Sequence, residues 1–528
     1  MEYKNIFFII LGCLCASLPT IHGAKTGRIL MLPLQTQTHL AIFKSVAQEL
    51  AQRGHKVTVV FSSAKEVPDG FNKTGMSIMK YTSSAPHLKW ESEEFQNHLT
   101  FACIYNPNEM WKTMDKLTAL YVDEGEAMLN DQTFSDNILK QKFDLAIVSG
   151  DMAARFLYIL PYRLNIPYVS LASVVDPYVA GLPVLPSFVP NVWTSHTEEM
   201  NFQQRLSNTL DDILLSFTHP PALKDTLVHK HAVMKPFVTL RKLAIDSQAW
   251  LINTDYLVDY HLPSMPNTIY VGGLTTRQPR TISPPALKKY LDDSTEGVII
   301  VSFGAVASYL PPLVSEKLVN ALKDMRPLKV LWGFGGKPSE VPLPKNIKIE
   351  KWLPLNDVLA HPNVKLFVTN CGANAQFESV YHGVPMLNLP ITNEQHYNAA
   401  RSQYKGLSIT IDLHHFKTED LTAAMKRVIK EPKFKDNVKM AGTIFKARHD
   451  RPTERAAELT ELVIQFGGKH LRSNLMEMSA YEYYMVDVVL VLIFVSIICA
   501  FLLKWLTGVF YIFLCSFLAS HDKKSKSD

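Results

Sequence analysis

Cysteine is scarce in this sequence and poorly placed for a disulfide framework. Of six cysteines in 528 residues, Cys13 and Cys15 lie in an apolar leader, and Cys499 and Cys515 lie in or beside a second apolar run near the end. Only Cys103 and Cys371 remain for the body of the chain, so its core must hold by burial rather than by cross-links. An excess of one charge is also missing. The formal net charge is +5, and no Lys/Arg stripe interleaved with aromatics stands out, which argues against a nucleic-acid partner. No G-x-G-x-x-G follows the first strand pattern, which argues against a dinucleotide redox cofactor. A D-x-D pair of the kind that holds a metal–nucleotide complex is absent, as is H-E-x-x-H, so no metal and no cofactor are expected. There is no short-period solenoid repeat. A content of 47% hydrophobic and 20% charged residues fits folded domains, about two of them at roughly 100–200 residues each.

Both ends are specialised. Residues 1–23, "MEYKNIFFIILGCLCASLPTIHG", have the layout of a cleaved secretory signal: an early lysine, an apolar run from Ile6 and small residues near Gly23. Near the other end, Val488 to Leu503 is almost wholly apolar and Trp505 to Leu518 continues after Lys504. A spanning helix needs about 20 such residues, so 466–484 reads as a juxtamembrane segment and 485–518 as a transmembrane region. The tail, 519–528, ends in the basic "HDKKSKSD", which the positive-inside rule assigns to the cytosol. The expected protein is therefore single-pass and type I, with its main part lumenal. Lys524 and Lys526 stand fifth and third from the last residue and resemble the dilysine signal that returns membrane proteins to the endoplasmic reticulum. Asn72-Lys73-Thr74 is a glycosylation sequon, consistent with a lumenal location.

Between the ends, strand and helix patterns alternate. "GRILMLPL" reads as a strand, "HLAIFKSVAQELAQRGH" as a helix stopped at Gly54, and "KVTVVF" as a strand, which is a βαβ opening. "FDLAIVS" and "IPYVSLA" repeat the theme. The pattern restarts near residue 297 with "GVIIVSFG", then "KVLWGF", "IKIEKWL", "KLFVTN" and "VPMLNLP". Two α/β halves follow, 24–280 and 281–465, joined through the polar, proline-rich "TTRQPRTISPP". A cleft between two parallel sheets is the natural ligand site.

The stretch "FVTNCGANAQFESVYHGVPMLNLPITNEQHYN", Phe367 to Asn398, carries the chemistry. It reads as a buried strand, a small-residue turn, a helix stopped by Gly383 and Pro385, a second strand and a polar loop. A helix N-terminus after a glycine turn suits phosphate. Glu378, one turn along, is placed to accept hydrogen bonds from ribose hydroxyls. Trp352 offers a face for a flat base, and Glu394 and Gln395 offer acceptors for sugar hydroxyls. A nucleotide sugar bound without metal fits these groups best.

Extended back to "KWLPLNDVLAHPNVKLFVTN", this stretch resembles the signature of the animal UDP-glycosyltransferases of the UDP-glucuronosyltransferase type. Further blocks resemble the family in the right order: "LAQRGHKVTVV", "NIPYVSLAS", "LPSFVPN", "YVGGL" and "VSFGAVAS". The resemblance covers nearly the whole chain. It implies an α/β fold of two facing Rossmann-like domains (GT-B type), the N-terminal one binding acceptor and the C-terminal one UDP-sugar, with a C-terminal transmembrane helix. It also implies inverting transfer, in which a histidine after the first strand deprotonates the acceptor and an aspartate steadies the imidazolium. In "MLPLQTQTHL" the matching histidine is His39. The aspartate is open: direct counting from "FD" lands on Ser149, while Asp151 stands two places on.

Among the donor positions, Gly372, Asn374, Glu378 and Gln395 keep the family's residue types, and Ser308 matches a serine near the donor phosphates. Three positions depart from the pattern. Asn370 stands for the usual diphosphate-contacting histidine, Leu355 for a glutamine and Glu394 for an aspartate. Acceptor recognition is expected around Tyr81 to Met128 and Pro177 to Phe237, which are rich in Met, aromatics and Pro. The resemblance thus implies a membrane-bound enzyme of the hexosyltransferase class. It would move a hexosyl or glucuronosyl group from a UDP-sugar, a co-substrate, to a hydroxyl of a small lipophilic acceptor. The alternative is a catalytically impaired relative that binds UDP or lipophiles, or partners active homologues; association with itself or with relatives stays open.

Overall fold

The computed structural model describes residues 26–524 except 86–87, 175, 218–219, 305–309, 336–342 and 449–450. The signal-sequence reading, Ser308 and Lys526 lie outside the described residues. A first compact unit runs to Arg472 and a second is Ser473–Asp528.

The first unit is built on two parallel sheets. In the N-terminal one, β1 (Arg28–Leu32), β2 (Lys56–Ser62), β3 (Met76–Tyr81), β4 (Leu145–Ser149), β5 (Tyr168–Ala172), β6 (Trp250–Ile252) and β7 (Thr268–Tyr270) lie in the order β3-β2-β1-β4-β5-β6-β7. The other contains β8 (Val298–Ser302), β9 (Lys329–Gly333), β10 (Ile347–Glu350), β11 (Val364–Thr369), β12 (Met386–Asn388) and β13 (Ser408–Thr410), ordered β10-β9-β8-β11-β12-β13. Strands covered on both faces read as continuous apolar runs; β4 and β5 are buried throughout. Each sheet reverses its strand order once, between β1 and β4 and between β8 and β11. Leu32 lies beside Val148 at the first reversal, and Ser302 beside Thr369 at the second. Ligands of open α/β sheets bind at such switch points, beyond the carboxyl ends of the strands.

After β1 the chain turns at Pro33–Gln35 into the helix Gln37–Gln52. Leu40, Phe43, Val46, Ala47 and Leu50 recur at helical spacing and are buried with Ile29 and Met31 of β1. Ala456, Ala457, Leu459 and Val463 of the helix Pro452–Phe466 join the same core. Sequence division places that helix in the C-terminal half, yet it packs on the N-terminal sheet. Glu461 reinforces the contact, with Arg53 and His55 each 3.1 Å away. Burial of Leu459 and Val463 contributes about 1.5–3 kcal/mol each.

A second departure from the sequence reading lies after β12. The amide-rich segment read as a polar loop becomes the helix Asn393–Tyr404. Thr392 and Gln395 form a capping box at its start, supplying acceptors to N–H groups that would otherwise be left unpaired there. Cys103 and Cys371 are buried and unpaired.

The second unit contains the helix Val486–Lys524. Its segment Val486–Ser516, which contains an exposed 18-residue stretch of mean hydropathy 3.1, is long and apolar enough to cross a membrane. At about 1.5 Å per residue, its 31 residues outreach a hydrocarbon core of about 30 Å.

Candidate active site

The first switch point brings His39 and Asp151 together. His39 sits in the first turn of the helix after β1, and Asp151 lies just beyond β4. Their Nε2 and Oδ2 atoms are 2.8 Å apart, with side chains only 14% and 18% exposed. Because β1 and β4 are adjacent and in register, Asp151 rather than Ser149 reaches the imidazole. Ser149 is itself fully buried and donates to Asp151 Oδ2 at 3.0 Å. The backbone N–H of Ser173 donates to Oδ1 at 3.2 Å. Thr36, at the N-cap, makes no side-chain cap bond; its hydroxyl lies instead 2.6 Å from His39 Nδ1.

These contacts set the charges. Burial alone would lower the His39 pKa, but the Asp151 carboxylate, helped by Glu394, leaves it raised. Burial likewise opposes the Asp151 charge, yet His39 and the donors from Ser173 and Ser149 hold its pKa below the ordinary carboxylate value. The pair therefore favours an imidazolium beside a carboxylate, the state a general base reaches after accepting a proton.

The second switch point faces it with the glycine turn. Cys371 takes the left-handed conformation at φ 66°, and Gly372 caps the helix Ala373–His382. The N-cap residue, being glycine, has no side chain to cap this N-terminus, so its first N–H groups suit an anion. The Asn370 side-chain nitrogen donates to the Phe303 carbonyl at 2.8 Å, which leaves its oxygen toward the turn. Asn374 accepts from Asn253 at 3.0 Å, linking the turn to the N-terminal half. Glu378 is half-buried, and burial, opposed by Thr275 and Arg277, pushes its pKa up to about 7. Trp352 is 72% exposed just after β10, a bare indole face. Leu355 opens the short helix that follows.

Glu394 sits in the first turn of the capping-box helix and accepts from Asn398 at 3.1 Å. Burial raises its pKa, while Asn398, Arg401 and His39 oppose that shift. His39 and Glu394 thus feel one another across the two halves. Gln395 is spent differently. Its Oε1 accepts from the backbone of Ile391 and Thr392 at 2.9 and 3.2 Å, leaving only its amide nitrogen for a sugar.

Next to the Pro33–Gln35 turn that leads into the His39 helix is a cavity. Its lining includes Leu34, Val60, Tyr121, Met128 and Phe156, with Gln35 and Trp90. Gly125 is required where helix and lining meet, because a Cβ there would come within 2.1 Å of the Phe156 ring. The cavity falls partly within the 81–128 stretch expected to bind acceptor.

Sequence reasoning missed Thr36, Asn253 and the buried pair Arg401–Asp259, whose atoms lie 2.5 Å apart. Thr36 carried a local signal, a hydroxyl residue three places before a candidate base. Asn253 and Asp259 carried none, since their partners are more than a hundred residues away.

Comparison with known proteins bears on the family and the fold. The family model described as "UDP-glucoronosyl and UDP-glucosyl transferase" matches residues 27–525. The chain is 28% identical over 505 residues to the 2-hydroxyacylsphingosine 1-beta-galactosyltransferase of Mus musculus, covering 92% of this chain and 89% of that protein. It is 27% identical over 551 residues to UDP-glucuronosyltransferase 2B15 of Homo sapiens, covering all of both. Among solved structures, the glycotransferase of kitacinnamycin superposes with a TM-score of 0.60 at 19% identity, covering 83% of this chain and 99% of that one. The calicheamicin glycosyltransferase CalG4 gives 0.53 at 19%, covering 84% and 99%. The two sheets have the GT-B arrangement of these glycosyltransferases. The chain belongs to the family of UDP-glucuronosyl and UDP-glucosyl transferases.

Proposed function

We propose that this protein is a membrane-bound UDP-glycosyltransferase that moves a hexosyl or glucuronosyl group to a hydroxyl of a small lipophilic acceptor, inverting the anomeric centre. The observation that carries the reading is the His39–Asp151 contact of 2.8 Å at the first switch point, with Glu394 close enough to influence it from the other half. The acceptor hydroxyl gives its proton to the His39 nitrogen not held by Asp151, taking the place of the Thr36 hydroxyl. The acceptor oxygen forms a bond to the anomeric carbon, the bond to UDP breaks, and the electron pair leaves with the diphosphate at the Gly372 turn. Asp151 steadies the imidazolium formed. Trp352 stacks the uracil, Glu378 holds the ribose, and Glu394 with the Gln395 amide reads the sugar. Asn374 borders the phosphates, and Ser308 is assigned to them by its match to the family's serine alone.

The test is the full chain in detergent, offered UDP-glucose, UDP-galactose and UDP-glucuronic acid with a mixed phenol panel. A product heavier by one transferred sugar, formed with one of these donors, is expected by mass spectrometry. One observation favours the impaired reading. Asn370 brings no positive charge to the diphosphate, and one of its two amide N–H groups is already given to Phe303. UDP binding without product from any donor would support that alternative.

The apolar helix, the Asn72 sequon (exposed in its loop) and the Lys524/Lys526 tail support a type I protein of the endoplasmic reticulum with a lumenal body. Changing both lysines to serine is expected to move a reticular pattern to the Golgi or cell surface. Unchanged localisation by microscopy counts against retrieval.

A further inference from the structure

The cavity next to the Pro33–Gln35 turn is apolar in bulk, but two of its polar atoms are left over. Gln35 is 6% exposed, and its amide nitrogen donates to the carbonyls of Pro33 and Val60 at 3.0 and 3.1 Å. Those two bonds fix which way the amide faces. They leave Oε1 buried with no partner among the described residues. Trp90 is 4% exposed and packs edge-on to Tyr121 at 4.8 Å. Its Nε1–H is likewise buried without a partner among the described residues. One atom can only accept and the other can only donate.

The remaining charge in the cavity wall is differently placed. Glu124 is 7% exposed, and its two oxygens accept from Ser62 at 2.5 Å and Ser83 at 2.9 Å. Two hydroxyls already answer this carboxylate, so it makes no comparable demand for a cationic ligand. A hydrocarbon ligand would seal Gln35 Oε1 and Trp90 Nε1 from water and leave both unpaired, whereas a ligand with matching groups removes that penalty.

We propose that the cavity selects acceptors carrying, besides the hydroxyl to be glycosylated, a second neutral polar function that both donates and accepts hydrogen bonds, such as another hydroxyl, read by Gln35 Oε1 and Trp90 Nε1. The proposal rests on the reading of this cavity as the acceptor site. It makes Gln35 and Trp90 specificity determinants rather than catalytic groups. Sites built to hydrogen-bond a ligand group discriminate against analogues lacking it far more strongly than apolar pockets discriminate by size.

The experiment measures binding by calorimetry on the full chain in detergent, without any sugar donor. The probes are biphenyl-4-ol, 4′-methoxybiphenyl-4-ol and 4,4′-biphenol, which differ only at the far end. After a twofold statistical correction, the diol is expected to bind at least about tenfold more tightly than biphenyl-4-ol, a typical hydrogen-bond increment. The methoxy compound, which only accepts, should fall between them. Trp90→Phe should remove the methoxy advantage, and Gln35→Leu the rest of the diol advantage. Gln35→Leu also frees two backbone carbonyls; should it fail to fold, Trp90→Phe alone decides. Equal affinities for the three probes, no binding of any of them, or affinity ratios unchanged in Trp90→Phe would each overturn the proposal. Diol preference without product from any UDP-sugar would sink the transferase reading, and with it the word acceptor, while leaving recognition of the second polar function by Gln35 and Trp90 in place.

Discussion

His39→Ala is expected to reduce transfer by at least a hundredfold while UDP still binds. A positioned general base contributes roughly 10²–10⁴-fold, which corresponds to about 3–5 kcal/mol of barrier. Alanine also leaves Asp151 with its imidazole partner removed, so the carboxylate must find water in a largely closed site. The groups proposed to hold the nucleotide follow β10, β11 and β12, whereas His39 follows β1. UDP affinity by calorimetry should therefore stay within about twofold, far below the tenfold that 1.4 kcal/mol represents. Single-turnover rates with a saturating phenol give the kinetic half of the test. Full activity in this variant, with any acceptor, would mean that the proton leaves by another route.

Asp151→Asn should cost about 10–100-fold in kcat with little change in donor affinity, because its charge matters most once the imidazole is protonated. The pH profile supplies the more specific signature. Asp151 keeps the His39 pKa raised against the lowering effect of burial. In the parent protein, kcat/KM thus declines as pH falls through that raised value, where the base becomes protonated before it can act. Removing the carboxylate charge lets burial prevail and shifts this acidic limb to lower pH. The deficit of the variant should accordingly be smallest in acid and largest in neutral solution. A simple folding defect would not produce that shift. Ser149→Asp tests the other register: it replaces a donor to Asp151 with a like charge and should lower activity. A gain in rate there, with Asp151→Asn silent, would place the effective carboxylate at residue 149.

The parts of the site that could be read in the sequence were those written locally. The run from Phe367 to His382 carries its own strand formers, glycine turn and helix stop, and the structure places β11, the turn and the helix there. Asp151 was ambiguous because its role depends on how β4 lies against β1, a relation between segments more than a hundred residues apart. The Asn393–Tyr404 helix was missed for a different reason. Its amides and carboxylate suggested a loop, while the Thr392–Gln395 cap that makes the helix possible was present three residues apart. Trp90 fell within the Tyr81 to Met128 stretch expected to bind acceptor, whereas Gln35 was not singled out, and the unpaired atoms of both depend on tertiary burial.

The return of Pro452–Phe466 to the N-terminal sheet has a consequence for synthesis. β7 closes that sheet at Tyr270, yet Ala456, Leu459 and Val463 complete its core only roughly 180 residues later, about 10–40 s of elongation at ~5–20 residues per second. Throughout that interval one face of the first half is apolar, uncovered and facing a crowded compartment. The order of emergence therefore makes the first domain the last to be finished, and a chaperone that shields hydrophobic surface has a defined window in which to act. The same logic fixes how the halves can be separated: a stable N-terminal fragment must carry residues 452–466 in cis or receive them in trans.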